Sequence, residues 1–328
     1  MLRISKLSFP GFGIGEFSVK SDAFTLFGLS VAWYALIITF GMVCAVVYTI
    51  FRAKKIGISL DDVLDYVIFA IPIGIIGARV YYVLAEIDNY NSLAEVLKIR
   101  NGGLAIYGGI IAGAITVFVV SYVKKINFFA FADCCTPGII LAQSIGRWGN
   151  FMNGEAYGRI TDSFIRMGLQ NRNTFNDFST LSMVYVHPTF LYESLWNLLG
   201  FVLINLFYKH KKYDGQIFLM IFGWYGLGRM WIEGLRMDSL YLFGSSIRVS
   251  QALAAFLFVA GTALLVYFAF KKPDKPFYRM QTVCENGKTV IADNDSYKAE
   301  KENEAPVQEC LSDPENEKSG DENADNEE

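Results

Sequence analysis

Apolar residues in this chain are gathered into long blocks separated by short polar stretches, and the length of the blocks identifies the elements. About 20 consecutive apolar residues are needed for a helix to cross about 30 Å of hydrocarbon. Seven blocks approach that length, at 24–50, 66–85, 104–123, 128–146, 189–208, 216–232 and 249–270. The pattern predicts an all-α, polytopic integral membrane protein with seven transmembrane helices. Span four, interrupted by Asp133, Pro137 and Gln143, also admits a reading as a re-entrant or interfacial piece shielded by protein.

Charge orients the blocks. Arg52, Lys54 and Lys55 follow span one, Lys124 and Lys125 span three, Lys209, Lys211 and Lys212 span five, and Lys271, Lys272, Lys275 and Arg279 span seven. All four clusters fall on one side, which the positive-inside rule makes the cytoplasm; the N-terminus is then outside and the C-terminus inside, against a weaker pull from Arg3, Lys6 and Lys20. Residues 1–23 read as an extracytoplasmic segment without the continuous apolar core of a signal peptide, so the first span is expected to stay attached. Residues 24–270 read as the seven-span membrane domain, with an extracytoplasmic loop at 147–188.

The net charge of −3 hides two opposed regions: residues 281–328 hold 15 acidic and 4 basic residues, leaving 17 and 25 for the rest. The stretch 271–328 reads as an acidic cytoplasmic tail, expected to be disordered because it has too little apolar surface to fold by itself. The chain's five cysteines and two histidines form no disulfide framework or zinc pattern, so no metal or cofactor is expected. No nucleic-acid partner is expected either.

Placed in the predicted topology, the polar residues of the spans converge on the outer face. Arg79, Tyr107, Arg147, Asn150, His187, Glu193, Arg229 and Glu233 all fall at outer ends of their spans. Tyr34, about ten residues into span one, would lie about 15 Å deep and floor a cavity. Tyr225, Arg229, Glu233 and Arg236 recur at helical spacing, which puts them on one face of span six. A single Arg–Glu pair there would be read as a packing device as readily as a site; further arginines at the same depth favour an anion site. Arginine suits a phosphate, since its fork donates two parallel hydrogen bonds and keeps its charge when buried, and a phospholipid headgroup is the nearest anion. The long loop 151–186 is placed to cover such a cavity or to receive an extracytoplasmic partner.

Residues 146–158, GRWGNFMNGEAYG, resemble at each constrained position the pattern G-R-x-G-N-F-x-N-x-E-x-x-G of the bacterial prolipoprotein diacylglyceryl transferases. Trp33–Tyr34, Asp61–Asp62, the paired glycines around Tyr107, HPTFLYE at 187–193 and YGLGRMWIEGLR at 225–236 agree in order and spacing, so the resemblance covers about residues 23–270. It implies a multi-pass enzyme of the bacterial cytoplasmic membrane, with its active site toward the extracytoplasmic face. Its reaction would move the diacylglyceryl group of phosphatidylglycerol onto the lipobox cysteine of a prolipoprotein signal peptide, forming a thioether and releasing glycerol phosphate. The partners implied are that lipid, that peptide and the lipid bilayer.

By the same resemblance Tyr34, Asn150 and Gly158 match catalytic-centre positions, and Arg147 matches the phosphatidylglycerol-binding arginine. The chemistry then assigns Arg147 and Arg229 to the phosphate. Asn150 and Asn153 orient glycerol or ester oxygens, Glu155 and Glu233 hold the arginines, Gly158 allows a close turn, and Arg236 adds to substrate binding. One position departs from the family: where many members carry a histidine, this chain has Tyr107, which is too weak a base at a pKa of about 10 and is expected to donate a hydrogen bond while the arginines activate the thiol. Glu155 or His187 is the alternative proton acceptor. A CDP-alcohol phosphotransferase reading fails on the spacing of Asp62, Asp65 and the Gly77–Arg79 segment, and an anion transporter would need an internal repeat that the sequence lacks.

Overall fold

The structure is a computed structural model that describes residues 4–90, 92–98, 102–237, 248–271, 281–285 and 288–292. It begins with strands. β1 (Ile4–Phe9) and β2 (Ile14–Lys20) pair antiparallel, and β3 (Asp22–Leu26) and β4 (Leu29–Ala32) form a second hairpin before α1 (Trp33–Lys54). The first membrane helix therefore starts at Trp33 and not at residue 24, because Phe27 and Gly28, both at positive φ, reverse a run that is apolar enough to be helical. Tyr34 is accordingly in the first turn of α1, which corrects its expected position midway down the span.

There follow α2 (Leu60–Ala85), α3 (Leu93–Leu97), α4 (Ile106–Val123), α5 (Phe128–Asn153), β5 (Met167–Gln170), α6 (Arg172–Phe178), β6 (Val184–Val186), α7 (Thr189–Phe207), α8 (Gln216–Leu235) and α9 (Val249–Lys271). Among the described residues, six helices are long and apolar enough to cross a membrane: α1, α2, α4, α5, α7 and α9. The sixth predicted span does form a helix, α8, but its glycines, Arg229 and Glu233 dilute its apolar content and it is not one of the six.

α5 is the centre of the helical layer. It packs on α1, α7 and α8, while α2 pairs with α4 and α8 with α9. The side chain of Asn127 accepts from the backbone N–H groups of Phe129 and Ala130 and starts the helix, which runs unbroken for 26 residues through Pro137. The helix is long and apolar enough to cross a membrane as one piece. Asp133, the charge that interrupts its apolar run, is fully buried. It accepts from Lys211 Nζ at 2.9 Å and from the N–H groups of Gly215 at 2.8 Å and Phe218 at 2.7 Å, so one carboxylate from α5 satisfies the first turn of α8. Lys211 is held above its ordinary range: burial opposes its charge, and Asp133 and Asp214 overcome that opposition.

The expectation of an all-α protein is corrected at the end of the bundle where α5 stops. A four-stranded antiparallel sheet of order β2-β1-β5-β6 joins the N-terminal segment to the loop after α5. Leu7, Leu169 and Val186 are wholly buried in it, beside Tyr157, Met167, Val184 and Phe190, and Phe151 at the end of α5 packs against the cluster. The sheet thus clamps the last turn of α5 and the first of α7. Its strands are three to seven residues long and pair with distant partners, too short to stand out as alternation in sequence.

By itself, a further unit holds β7 (Gln281–Glu285) and β8 (Lys288–Ala292), an antiparallel hairpin within the tail expected to be disordered. Its β-branched runs flank Asn286–Gly287 in sequence, a strong hairpin signal. The rest of the tail, and Arg3, Lys272, Lys275 and Arg279 of the charge count, lie outside the described residues.

Candidate functional site

The conspicuous motif is not a loop at its start. α5 continues to Asn153, so Arg147, Asn150 and Asn153 occupy its last two turns, three residues apart and on one face. The chain leaves the helix through Gly154, in the left-handed conformation, and folds Glu155 back: its backbone N–H donates to the Asn150 carbonyl at 3.1 Å. Asn150 and Asn153 then both donate to Glu155 Oε1, at 3.0 and 3.1 Å. Glu155 therefore holds the two amides and not the arginines, which corrects its expected partner.

The arginines are held by Glu193. Its Oε1 lies 2.5 Å from Arg147 Nη2 and its Oε2 2.9 Å from Arg229 Nη1, so one carboxylate from α7 ties α5 to α8. Glu193 is only 3 % exposed, which makes this a protein-enclosed arrangement and not a surface pair. On its other side Arg229 Nη2 meets Glu233 Oε2 at 2.6 Å, one turn along α8, as expected for Glu233. Two guanidinium groups from different helices are brought within one carboxylate's span.

Two backbone features fix this geometry. Gly158 donates its N–H to the His187 carbonyl at 2.9 Å and forms a bridge with Arg236. A Cβ at Gly158 would stand 2.7 Å from His187 Cβ and 2.9 Å from the Leu235 carbonyl oxygen, so glycine is needed for close approach of three segments and not for a turn. Arg236 is already extended, capping α8; it leaves the helical face shared by Tyr225, Arg229 and Glu233, which corrects the four-residue stripe. The buried Arg248 donates to the Glu233 carbonyl, a contact with no signal in the sequence because Arg248 lies outside every motif.

The tyrosines divide. Tyr34 packs its ring over Gly149, where a Cβ would stand 2.8 Å from Cδ2, and lies within electrostatic reach of Glu155 and Arg147. Tyr107, in the first turn of α4, shares a hydrogen bond of 3.0 Å with Ser250 at the start of α9. Tyr225 lies within electrostatic reach of Glu193, Arg229, Arg147 and Tyr107. Arg79 is not in the cluster: it donates to the carbonyls of Val96, Gly102, Gly103 and Glu95 at 2.8–3.0 Å and pins the segment after α2. His187 turns Nδ1 to the Tyr192 hydroxyl at 3.2 Å, and burial pushes its pKa below the ordinary imidazole range.

The chain is a polytopic helical protein that gathers two arginines at one end of its bundle, beside a carboxamide pair and a small sheet. The sequence model of the family described as prolipoprotein diacylglyceryl transferase matches residues 21–267. The phosphatidylglycerol--prolipoprotein diacylglyceryl transferase of Enterococcus faecalis is 44% identical over 266 residues, covering 80% of this chain and 95% of that protein. Proteins of the same name from Listeria welshimeri (43% over 267 residues, 81% and 95%) and Streptococcus pneumoniae (44% over 253 residues, 76% and 94%) are similar. The chain belongs to the prolipoprotein diacylglyceryl transferase family.

Proposed function

We propose that this protein transfers the diacylglyceryl group of phosphatidylglycerol to the thiol of a prolipoprotein's lipobox cysteine, the first step of bacterial lipoprotein maturation. The sulfur bonds to the glycerol carbon that carries the phosphate, the C–O bond to that phosphate breaks, and glycerol phosphate leaves. The phosphate goes from a singly charged diester to a monoester with a second ionisable oxygen, which takes up the proton lost by the thiol. Negative charge grows on the phosphate as the C–O bond breaks, before that proton arrives, and the arrangement that carries the proposal is the approach of Arg147 and Arg229 to one shared carboxylate.

In this reading the phosphate displaces Glu193 from one or both guanidinium groups, and Glu233 keeps Arg229 oriented. Glu155 aims the Asn150 and Asn153 amides at the glycerol and ester oxygens, and Gly158 with Arg236 closes the wall beside them. Tyr34 and the Tyr107 hydroxyl flank the reacting carbon as hydrogen-bond donors, and the arginines lower the thiol pKa. α8 serves as the seventh span. The site faces outward across a cytoplasmic membrane, with the N-terminus outside and the tail inside.

The test uses purified full-length protein, labelled phosphatidylglycerol and a lipobox peptide, with mass detection of the diacylglyceryl thioether. Arg147→Lys keeps the charge but loses the fork, and the rate is expected to fall about 100-fold, the scale of losing one transition-state donor. Wild-type turnover in Arg147→Lys, or no thioether from folded wild-type protein, refutes the assignment.

A further inference from the structure

The β3–β4 hairpin pairs with no other strand among the described residues, and its construction is unusual. Its register pairs Phe24 with Val31 and Leu26 with Leu29 on one face, and Thr25 with Ser30 on the other, so the hairpin is amphipathic. Phe24, Leu26 and Leu29 are 50 %, 52 % and 48 % exposed. The two-residue turn is Phe27–Gly28, with φ of 49° and 76°. Such a turn favours asparagine at its first position, and a phenylalanine there is a genuine outlier. Phe27 is also 95 % exposed, the most exposed large apolar side chain among the described residues. A strained backbone that thrusts an aromatic ring into the surroundings points to a role for the ring outside the fold.

The surroundings are identified by continuity. No charged residue occurs between Asp22 and Arg52. The hairpin leads in sequence straight into α1, whose Trp33, Phe40, Val43, Val47 and Phe51 are exposed as well. Ser21 and Trp33, joined by a backbone hydrogen bond of 2.9 Å, fix the base of the hairpin one residue from Tyr34. We infer that the hairpin 22–32 lies in the outer leaflet with Phe27 and the Phe24–Val31 face among phospholipid chains and Thr25 and Ser30 toward the headgroups. It thereby sets the depth of Tyr34 and its neighbouring site relative to the phosphates. The inference rests on the outward-facing membrane arrangement proposed above.

The full chain carrying p-benzoylphenylalanine in place of Phe27, in nanodiscs of phosphatidylglycerol and phosphatidylethanolamine, is irradiated and weighed. The expected product has gained the mass of one phospholipid, with several-fold less capture from the same probe in place of Ser30. No lipid capture at 27, equal capture from both positions, or capture only of added prolipoprotein overturns the inference. This readout needs no turnover, so it stands or falls separately from the transferase reaction. Phe27→Asn suits the turn better, and it is expected to raise the melting temperature in detergent. It is also expected to slow transfer from long-chain lipid in vesicles roughly tenfold, the effect of losing one inserted aromatic ring. Equal slowing with the lipid dispersed in detergent micelles would show instead that Phe27 acts through the protein.

Discussion

Glu193 shows what a sequence conveys about a single residue and what it withholds. The motifs make it visible as the last residue of HPTFLYE, at the right end of its helix, but nothing in one dimension says that its two oxygens serve arginines 46 and 36 residues away in opposite directions. Pairing was legible where it is local, as for Arg229 with Glu233 four residues on, and was misassigned where a nearer carboxylate, Glu155, offered itself. The bridge leads to a measurable asymmetry. Glu193→Gln takes the shared carboxylate from two half-buried guanidinium groups, leaving Arg229 with Glu233 as its remaining partner, at a cost of about 3 kcal/mol by the usual scale for breaking a largely buried pair. Added phosphatidylglycerol restores the missing anion. Thermal unfolding in detergent is expected to show a larger upward shift with this lipid in the variant than in the wild type; equal shifts would mean that the phosphate does not meet the arginines.

At the level of elements, helix existence was written in apolar block length and helix limits were not. α1 begins late because a turn intervenes, and α5 ends late because Arg147, Asn150 and Asn153, read as polar loop, continue the helix with side chains that find partners beyond it. The sheet was missed because its strands are brief and its pairs are far apart in sequence. Asp133 was read as a blemish in a span and is a cap for another helix, a role fixed wholly by tertiary structure. Since α8 carries Arg229 and Glu233, loosening its first turn should reach the opposite end. Asp133→Asn keeps an acceptor but leaves Lys211 with Asp214 as its carboxylate partner and orphans the N–H of Gly215 or Phe218; a drop of about 3 kcal/mol in stability is expected from chemical or thermal unfolding, with transfer slowed at matched folded fraction. Unchanged stability would show that α8 holds its first turn without the carboxylate.

For the molecule as a whole, the membrane character, the order of helices and the clustering of polar groups at one end were all legible, since they follow from where charge is tolerated in lipid. The acidic tail is a different matter. The relatives from Enterococcus and Listeria are covered to 95% by about four-fifths of this chain, and the family match stops at residue 267. Ending the chain after residue 277 is therefore expected to leave the transfer rate and the melting temperature of the membrane part unchanged, as read by thioether formation and thermal unfolding. A loss of turnover would assign the tail a part in catalysis.

The way Arg147 and Glu193 are joined also bears on how the protein is made. The arginine leaves the ribosome 46 residues before the carboxylate that neutralises it, and a further 36 separate that carboxylate from Arg229. At about 5–20 residues per second, several seconds pass with a lone cation in a newly made helix. If that interval matters, α5 is held beside the insertion machinery until α7 arrives, and a crosslink between the two helices is expected to form during synthesis only once the chain has grown past Glu193.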